Sequence, residues 1–429
     1  MIDSLLNAFR IPDVRRKLIF TFGILVIFRF IAHVPVPGVN AQRLKELFET
    51  NQLIGMLDLF SGGAMSSFSV AAMGVYPYIT ASIIMQLLVP MVPRLQEIAK
   101  EGEAGRNRIN QYTHWLAVPM AALQALGTGS LLATGQLGVI PSFNLLASPL
   151  PTLAIIASMT AGTMLLVWLG ELITENGIGN GVSIIIFGGI VARLPVMVAQ
   201  SLFAGTNYVG LAIFFILAIL TVAAIVVVQE GQRRIPVQFA KRIRGTKMYG
   251  GTSTHIPMRV NSAGMIPLIF AMSIMLFPGT VASYFMYSEV GWVAGVAGAI
   301  TWFFNPVNLP YWLLYFALVV GFTFFYTVVI FQQQNIPESL QKNGGFVPGI
   351  RPGRPTAEYL NKVLMRITWF GAIFLGVVAV LPFFVQNLTS VQALTLSSTA
   401  LLIVVGVVLD TMKQLESQLL MRNYQGFIK

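Results

Sequence analysis

The chain has 429 residues, of which 55% are hydrophobic and 10% charged, and its formal net charge is +11. This composition excludes a soluble globular protein of the same length, and it favours a chain built from membrane-crossing segments. The absence of cysteine excludes disulfides, thiolate metal sites and cysteine nucleophiles.

Ten apolar runs follow one another along the chain, separated by polar gaps. Each approaches the roughly 20 residues that cross a ~30 Å hydrocarbon core. We expect membrane spans at residues 18–34, 71–92, 112–133, 153–172, 181–200, 209–229, from 261 onward, 311–332, from about 362 to 385, and 394–409. No small-residue cleavage site follows the first run, so it is expected to remain as a span.

Lysine and arginine gather in every second gap. The most basic gap follows the sixth span and contains Arg233, Arg234, Lys241, Arg242, Arg244, Lys247 and Arg259. Cytoplasmic loops accumulate Lys and Arg whereas translocated loops do not, so the pattern predicts that both termini are cytoplasmic. The basic residues are therefore interpreted first as determinants of topology and only second as contacts for nucleic acid.

Residues 290–304 form an eleventh apolar stretch, with Gly291 and Gly295 at the spacing of a helix-packing motif. A further span is the alternative interpretation. The stretch is short for a crossing, and an extra span would place the gap that contains Arg351 outside, against the charge rule. We therefore expect an outer-surface or re-entrant piece.

The gap lengths predict two inverted halves. Long gaps follow the first and third spans (35–69 and 134–152) on the outer face, and the sixth and eighth (230–260 and 333–361) on the inner face. Inverted repeats of this kind place a functional site between the halves near the bilayer midplane. Chance, combined with one odd number of spans, is the alternative explanation of the pattern.

Ionisable residues are almost absent from the middle of the predicted spans. Arg29, His33 and Arg193 lie toward outer ends, where long arginine side chains are expected to extend to the interface. Because proton coupling and intramembrane hydrolysis need titratable groups at depth, ion-coupled transporters, pumps and intramembrane proteases are disfavoured. The chain also lacks a phosphate-binding P-loop, so we do not expect it to hydrolyse ATP through one. We expect no enzyme, no cofactor and no metal site.

A passive conduit with an apolar lining remains. Val75 and Ile79 share one helix face, as do Val182 and Ile186. A ring of branched aliphatic side chains can seal a pore by excluding water, and it can still widen because no fixed charge sets its diameter. Such pairs are also common in ordinary helix packing, which is the alternative here.

Several longer strings resemble one known family over nearly the whole chain. They are Phe28-Arg29, 34–38 (VPVPG), 59–64 (LFSGGA), 73–84 (MGVYPYITASII), 100–103 (KEGE), 107–112 (NRINQY), 162–164 (GTM), 168–171 (WLGE), 173–181 (ITENGIGNG), 231–237 (GQRRIPV), 253–257 (STHIP) and 345–353 (GFVPGIRPG). With these strings the chain resembles the SecY family, the channel-forming subunits of the bacterial Sec protein translocon.

The resemblance implies an all-α polytopic membrane protein in the bacterial plasma membrane, with ten transmembrane helices in two inverted five-helix halves around an hourglass pore with a lateral gate. It implies an N-terminal half at residues 1–205, a C-terminal half at 206–412 with cytoplasmic loops at about 230–260 and 333–362, and a cytoplasmic tail at 413–429. The pore ring implied by position comprises Val75, Ile79, Val182, Ile186, Ile269 and Ile403.

A plug is implied at about residues 56–70, as a short half-helix that closes the outer funnel. Its predicted site residues are Phe60, Ser61, Gly62, Gly63, Ala64, Met65, Ser66 and Ser67. Without the resemblance, the segment is interpreted as an outer loop or as the start of a helix. The implied lateral gate contains Thr80, Gln86, Asn261 and Phe277, with Gln86 and Asn261 as a polar pair.

The resemblance also implies the function and the partners. The function is a channel that translocates unfolded polypeptides and releases transmembrane segments sideways. The partners are SecE and SecG subunits, the SecA ATPase motor, the ribosome with a ribosomal RNA contact, signal sequences, nascent chains and lipids. Arg242, Arg244, Lys247 and Arg351 would bind the motor or the ribosome. A secondary transporter of small solutes is the alternative function, and an assembly scaffold or insertase without a continuous pore is a third.

Overall fold

The computed structural model of the chain describes residues 11–40, 43–44, 61–134, 139–140, 143, 148–203, 208–239, 242–244, 247–249, 253–285, 290–334, 336–389 and 397–426. The helices are α1 (Pro12–Ile31), α2 (Tyr76–Met91), α3 (Pro93–Lys100), α4 (Glu103–Thr134), α5 (Pro149–Asn176), α6 (Gly181–Phe203), α7 (Tyr208–Glu230), α8 (Ile266–Phe285), α9 (Gly291–Phe303), α10 (Leu309–Gln334), α11 (Ile336–Lys342), α12 (Arg354–Thr389) and α13 (Ser397–Gly426). The strands are β1 (Gln232–Phe239), β2 (Arg242–Arg244), β3 (Lys247–Tyr249), β4 (Ser253–Arg259) and β5 (Gly345–Phe346).

Each of the ten predicted spans coincides with a helix of the described chain, which confirms the all-α polytopic class. Three stretches are long and apolar enough to cross a membrane by themselves, namely Pro149–Asn176, Leu309–Lys342 and Arg354–Val385. Helices α2 and α3 make a fourth crossing if they count as one span, bent by 98°. The other spans lie on helices with shorter apolar stretches or with charged turns at one end.

Proline determines where several helices begin. It occupies the first or second position of α1, α2, α3 and α5. Proline is tolerated there because its missing N–H would have no helical partner and its φ angle already suits a helix. Pro77 therefore helps to place the start of α2 at Tyr76, five residues later than the start of the span predicted at 71–92.

The packing of helices repeats between the two halves. In the first half, α1 contacts α5 and α6. In addition, α2 contacts α4, α4 contacts α5, and α5 contacts α6. In the second half, α7 contacts α12 and α13. In addition, α8 contacts α10, α10 contacts α12, and α12 contacts α13. Each contact of the first series thus has a counterpart five spans later, as two repeated five-helix units require.

The main helix contacts between the two halves involve α8 and α13. Helix α8 contacts α4 and α2 on one side, and α13 contacts α6 on the other. One large cluster of buried apolar side chains bridges them, and it includes Phe28, Ile186, Met272 and Ile403. The functional site is therefore expected along this seam.

A small sheet follows α7, which the sequence analysis treated only as a long basic loop. Strand β1 lies between β4 and β5 and is antiparallel to both, with Ile235 opposite Ile256. Ile235 and Val237 are buried while their neighbours are exposed, the alternation of a half-buried strand. Strands β2 and β3 form a separate hairpin.

Candidate functional site

An apolar constriction lies on the seam between the two halves. A cavity of ≈ 20 Å³ there is lined by Val75, Tyr76, Ile79, Ile186, Ile269 and Met272. A volume of this size holds about one water molecule. The cavity therefore has no room for a polypeptide chain.

The structure brings the six predicted ring residues into one region. Four of them, Val75, Ile79, Ile186 and Ile269, line the cavity. Val182 and Ile403 belong to the same apolar cluster, with Ile403 only 3% exposed. None of the six side chains carries a polar atom, so the ring itself offers a trapped water no hydrogen bond.

Residues 61–75, here called the docked segment, end at Val75, one of the residues that line the constriction. They form a succession of turns and pack against the end of α1 and the chain that follows it. The amide of Val36 donates to the carbonyl of Phe68 at 2.9 Å, and the amide of Val70 donates to the carbonyl of Val34 at 3.0 Å. The Ser67 hydroxyl donates to the carbonyl of Ala32 at 3.0 Å.

The expected half-helix at about 56–70 is wrong for residues 61–70, since no helix forms there. The physical reason is local conformation: Gly62 and Gly63 have φ of +69° and +89°, and Phe68 has φ of +41°. These left-handed angles cannot continue an α-helix. Phe60 and the preceding part of the predicted plug (56–59) lie outside the described residues, whereas Ser61, Ala64 and Met65 are buried within the docked segment.

A contact between two glycines seats the docked segment on α6. A Cβ atom on Gly189 would lie 2.9 Å from the Cα of Gly62, and one on Gly62 would lie 2.6 Å from the Cα of Gly189. Neither distance is tolerable for a real side chain, so only two glycines permit this approach. The LFSGGA string marked the segment, but nothing local in the sequence identified Gly189 as its partner.

Arg29 makes a contact with the docked segment that the sequence analysis did not predict. Its Nη1 donates to the carbonyl of Gly62 at 2.6 Å, and a Cβ on Gly63 would lie 3.6 Å from the same nitrogen. The side chain of Arg193 borders Gly63 as well. The carbonyls of the turn attract the guanidinium because a charge-assisted hydrogen bond is stronger than a neutral one.

The predicted amide pair of the gate does not form in this conformation. The Gln86 amide donates to the hydroxyl of Ser82 at 3.3 Å, and that of Asn261 donates to the carbonyl of Gly264 at 3.0 Å. Both side-chain carbonyl oxygens are buried and accept no hydrogen bond from any described group. Thr80 donates within α2, to the carbonyl of Tyr76 at 3.1 Å. The Phe277 side chain lies outside what the structure describes.

A different hydrogen bond joins the two gate helices. The Tyr76 hydroxyl donates to the carbonyl of Ser273 at 3.1 Å, from the first residue of α2 to the middle of α8. Sequence analysis missed this bond, because a tyrosine next to an aliphatic position is expected to serve packing alone. The carbonyl of Ser273 needs no special residue type, so no signal in the sequence points to it.

We expect Tyr76→Phe to weaken the closed gate while the fold persists. An interhelical hydrogen bond in a membrane contributes about 1 kcal/mol, so the closed conformation should lose roughly fivefold in relative population. For a channel of the kind that the resemblance implies, export of a substrate with a defective signal sequence measures this gain. Tyr78→Phe is the matched control, since the Tyr78 hydroxyl donates to Asn110 within the first half. Equal export by both variants would contradict a cross-gate role.

A wider and more polar cavity opens at the other ends of the central helices. Its volume is ≈ 270 Å³, and it is lined by Asn180, Ser183, Arg259, Met265, Val407, Asp410, Thr411, Lys413 and Gln414. Lys413 Nζ lies 2.7 Å from a carboxylate oxygen of Glu230 near this rim. These residues follow or precede spans at the ends that the charge pattern predicts to be cytoplasmic.

The predicted docking residues are carried by the sheet region and the turn beyond it. Arg242 and Arg244 lie on β2 and Lys247 lies opposite Arg244 on β3. Arg351 is exposed between Gly349 and Gly353, whose φ angles are +83° and +102°. These left-handed glycines make two sharp turns that present the arginine to solvent.

Comparison with known proteins identifies relatives of the whole chain. A family model for SecY matches residues 69–412. The chain is 44% identical to the protein translocase subunit SecY of Mycobacterium tuberculosis and 43% identical to that of Streptomyces coelicolor. Each alignment covers 100% of both proteins.

Solved structures share the fold at lower identity. One described as "The plug domain of the SecY protein stablizes the closed state of the translocation channel and maintains a membrane seal" has a TM-score of 0.64, 18% identity, and coverage of 94% of this chain and 92% of that one. Sec61 in the canine ribosome-channel complex from the endoplasmic reticulum has a TM-score of 0.61 and 18% identity, with the same coverage.

Proposed function

This chain belongs to the SecY family, and from that membership we infer that it is a protein-conducting translocation channel. The observation that carries the inference is the seam between the halves, where an aliphatic constriction with room for about one water separates a docked segment from a wide polar mouth. A secondary transporter is not favoured, because the constriction holds no charged group that could bind an ion or polar solute.

The mechanism follows from the chemistry of the constriction. Hydration of a narrow aliphatic ring is unfavourable, so ions are excluded while the channel is idle. A polypeptide that enters displaces the ring sideways, and the ring yields because apolar packing has no directional bonds to break. SecY proteins form a family of channels rather than enzymes, and this step needs no catalytic residue.

We assign three moving parts to this cycle. The docked segment serves as the plug, which agrees with what the structural relative is described as using to seal its membrane. Helices α2 and α8 form the lateral gate, through which transmembrane segments of substrates reach lipid. The six aliphatic residues form the ring that closes around the moving chain.

The partners are assigned by the same reasoning. The main helix contacts between the halves of the described chain are those of α8 with α2 and α4 and of α13 with α6. SecE is proposed to brace them, with SecG as a further subunit. SecA or the ribosome, including ribosomal RNA phosphates, would bind the basic residues at Arg242, Arg244, Lys247 and Arg351 on the cytoplasmic face, where both termini also lie.

Arg351→Glu is expected to abolish motor-driven export while the protein accumulates at a near-normal level. The side chain is exposed on a turn, so little packing is lost, whereas the reversed charge repels an acidic partner surface. Lys362→Glu, at another exposed basic position on α12, is the control and should export normally. Loss of the folded protein on Arg351→Glu would point to a structural role instead.

Reconstitution separates the channel from the transporter. Proteoliposomes that contain this chain with its partner subunits, motor and ATP should protect an added preprotein from external protease. They should not accumulate small solutes against a gradient. Solute accumulation without polypeptide protection would overturn the proposed function.

A further inference from the structure

Helix α9 presents an apolar face that no described residue covers. The exposed residues of this face recur at helical spacing and are here called the stripe: Trp292, Gly295, Val296, Ala299, Ile300 and Phe303. Trp292 is 74% exposed and Val296 is 53% exposed, whereas Ala297 on the opposite side is buried. No Lys, Arg, Asp or Glu occurs between Gly291 and Phe303.

The helix runs back alongside α8 rather than away from it. A Cβ on Gly279 would lie 3.4 Å from the Cβ of Phe304, the residue that follows α9. Gly279 lies six residues before the last residue of α8, Phe285. Because a helix rises about 1.5 Å per residue, the end of α9 lies beside α8 at a point about 9 Å before the end of α8.

The turn between α9 and α10 satisfies its backbone N–H groups within the protein. The amides of Phe304, Asn305 and Asn308 donate to the carbonyls of Ile300, Trp302 and Asn305. The amide of Val307 donates to the Asn305 side chain, and Pro306 has no amide hydrogen. Every backbone N–H from Phe304 to Asn308 is thus satisfied internally, as hydrocarbon demands of irregular backbone.

Acceptors in the same turn are also occupied by side chains. The Trp312 indole donates to the carbonyl of Pro306 at 2.6 Å, and the Asn308 amide donates to the carbonyl of Trp302 at 2.6 Å. An aqueous turn has water available for these groups and needs no such arrangement. The two indoles at the ends of α9, Trp292 and Trp302, lie 74% and 60% exposed.

Neighbouring elements extend the same apolar surface. Val281 and Phe285 are exposed on the last turns of α8, and Leu309 and Leu313 are exposed at the start of α10. These residues belong to membrane spans, so their exposed side chains face lipid. The stripe on α9 lies between them along the chain and continues the lipid-facing band.

We propose that α9 is a re-entrant membrane helix whose exposed stripe binds the acyl chains of the leaflet that contains the end of α8. Its start, at Trp292, lies at the interface, and its end, at Phe303, lies deeper. Too short to cross, the helix turns at Asn305 and continues directly into α10. Lipid contact thereby fixes the end of α8 without a protein partner.

Spin labelling tests this proposal, because the chain has no native cysteine and single cysteines can be introduced. Gly291→Cys, Gly295→Cys and Gly298→Cys use positions where an added Cβ meets nothing within 4 Å. Each labelled protein is reconstituted with its translocon subunits in phosphatidylethanolamine and phosphatidylglycerol. Collision of the nitroxide with oxygen reports lipid, and collision with a nickel chelate reports water.

Two positions of the same chain calibrate the measurement. Gly321→Cys lies within α10, also with nothing within 4 Å of its Cβ, and serves as the lipid reference. Glu358→Cys, whose side chain is 69% exposed near the start of α12, serves as the water reference. We expect the ratio of oxygen to nickel accessibility at Gly295 to lie within about twofold of that at Gly321. It should rise from Gly291 to Gly298.

Two results would overturn the proposal. A ratio like that of Glu358 would place α9 in water, and low accessibility to both reagents would mean that protein covers the stripe. If the cysteine variants fail to fold, quenching by brominated lipid tests the same point in a variant that keeps Trp292 as its single tryptophan, with a variant that keeps only the buried Trp312 as the unquenched reference. None of these readouts depends on transport, so the result is separable from the proposed channel activity.

Discussion

A channel that carries Ile79→Asn together with Ile403→Asn should leak small ions at rest. Ile79 lines the constriction and Ile403 is buried in the same apolar cluster. A carboxamide at each place supplies hydrogen bonds that hold water where the wild-type ring excludes it. We expect resting conductance to rise by roughly tenfold or more, the largest effect of any ring substitution.

The same double variant should also relax signal-sequence selectivity. Loss of apolar contacts weakens the closed state relative to the open one, so a weaker signal suffices to open the channel. Planar-bilayer conductance and export of a signal-defective substrate are the two measurements. Leu88→Asn with Val408→Asn is the control, because these side chains are exposed on the same two helices. A ring variant that behaves like this control does not line the seal.

Gly189→Leu should displace the docked segment and open the seal by another route. The new side chain would collide with the backbone of Gly62, which a Cβ alone already approaches to 2.9 Å. Backbone cannot yield as a flexible side chain does, so the segment must move off α6. Since Arg29 and the strand-like bonds at Val36 and Val70 still tether it, we expect displacement and no unfolding of the bundle.

Thiol accessibility measures that displacement directly. A cysteine at Ala64, a fully buried position, should react with a soluble maleimide roughly tenfold faster in the Gly189→Leu background. Gly127→Leu places the same side chain on α4, where a Cβ meets nothing within 4 Å, and it should change nothing. An unaltered rate at Ala64 would show that the glycine contact does not hold the segment.

Sequence alone predicted the helices well, because membrane spans are defined by composition over a long window. Apolar runs and alternating basic gaps located all ten spans on helices. Periodicity placed Val75 with Ile79 and Val182 with Ile186 on shared helix faces, whereas the ring of six residues was implied by the family resemblance. The spans could be predicted from residues that are close together in the sequence, and the ring could be predicted from the motifs that the chain shares with the family.

Contacts between distant segments could not be predicted in the same way. Arg29 bonds to Gly62, and Tyr76 bonds to the carbonyl of Ser273, an acceptor that every residue type offers. The turns at 61–75 depend on left-handed φ angles at Gly62, Gly63 and Phe68. A phenylalanine in the sequence does not predict a left-handed conformation. The polar pair of Gln86 and Asn261 remains a prediction, because in the closed conformation each amide bonds locally.

Cross-linking of an arrested substrate tests the central claim most directly, since every introduced cysteine in this chain is unique. Cysteine replaces Ile79 or Ile403, and a preprotein with one cysteine is halted midway by a folded domain at its end. The account predicts disulfides between substrate and both ring positions, and none with a cysteine at lipid-exposed Val408. Substrate that is fully translocated yet never bonds to either ring position would contradict the claim that polypeptide passes through this constriction.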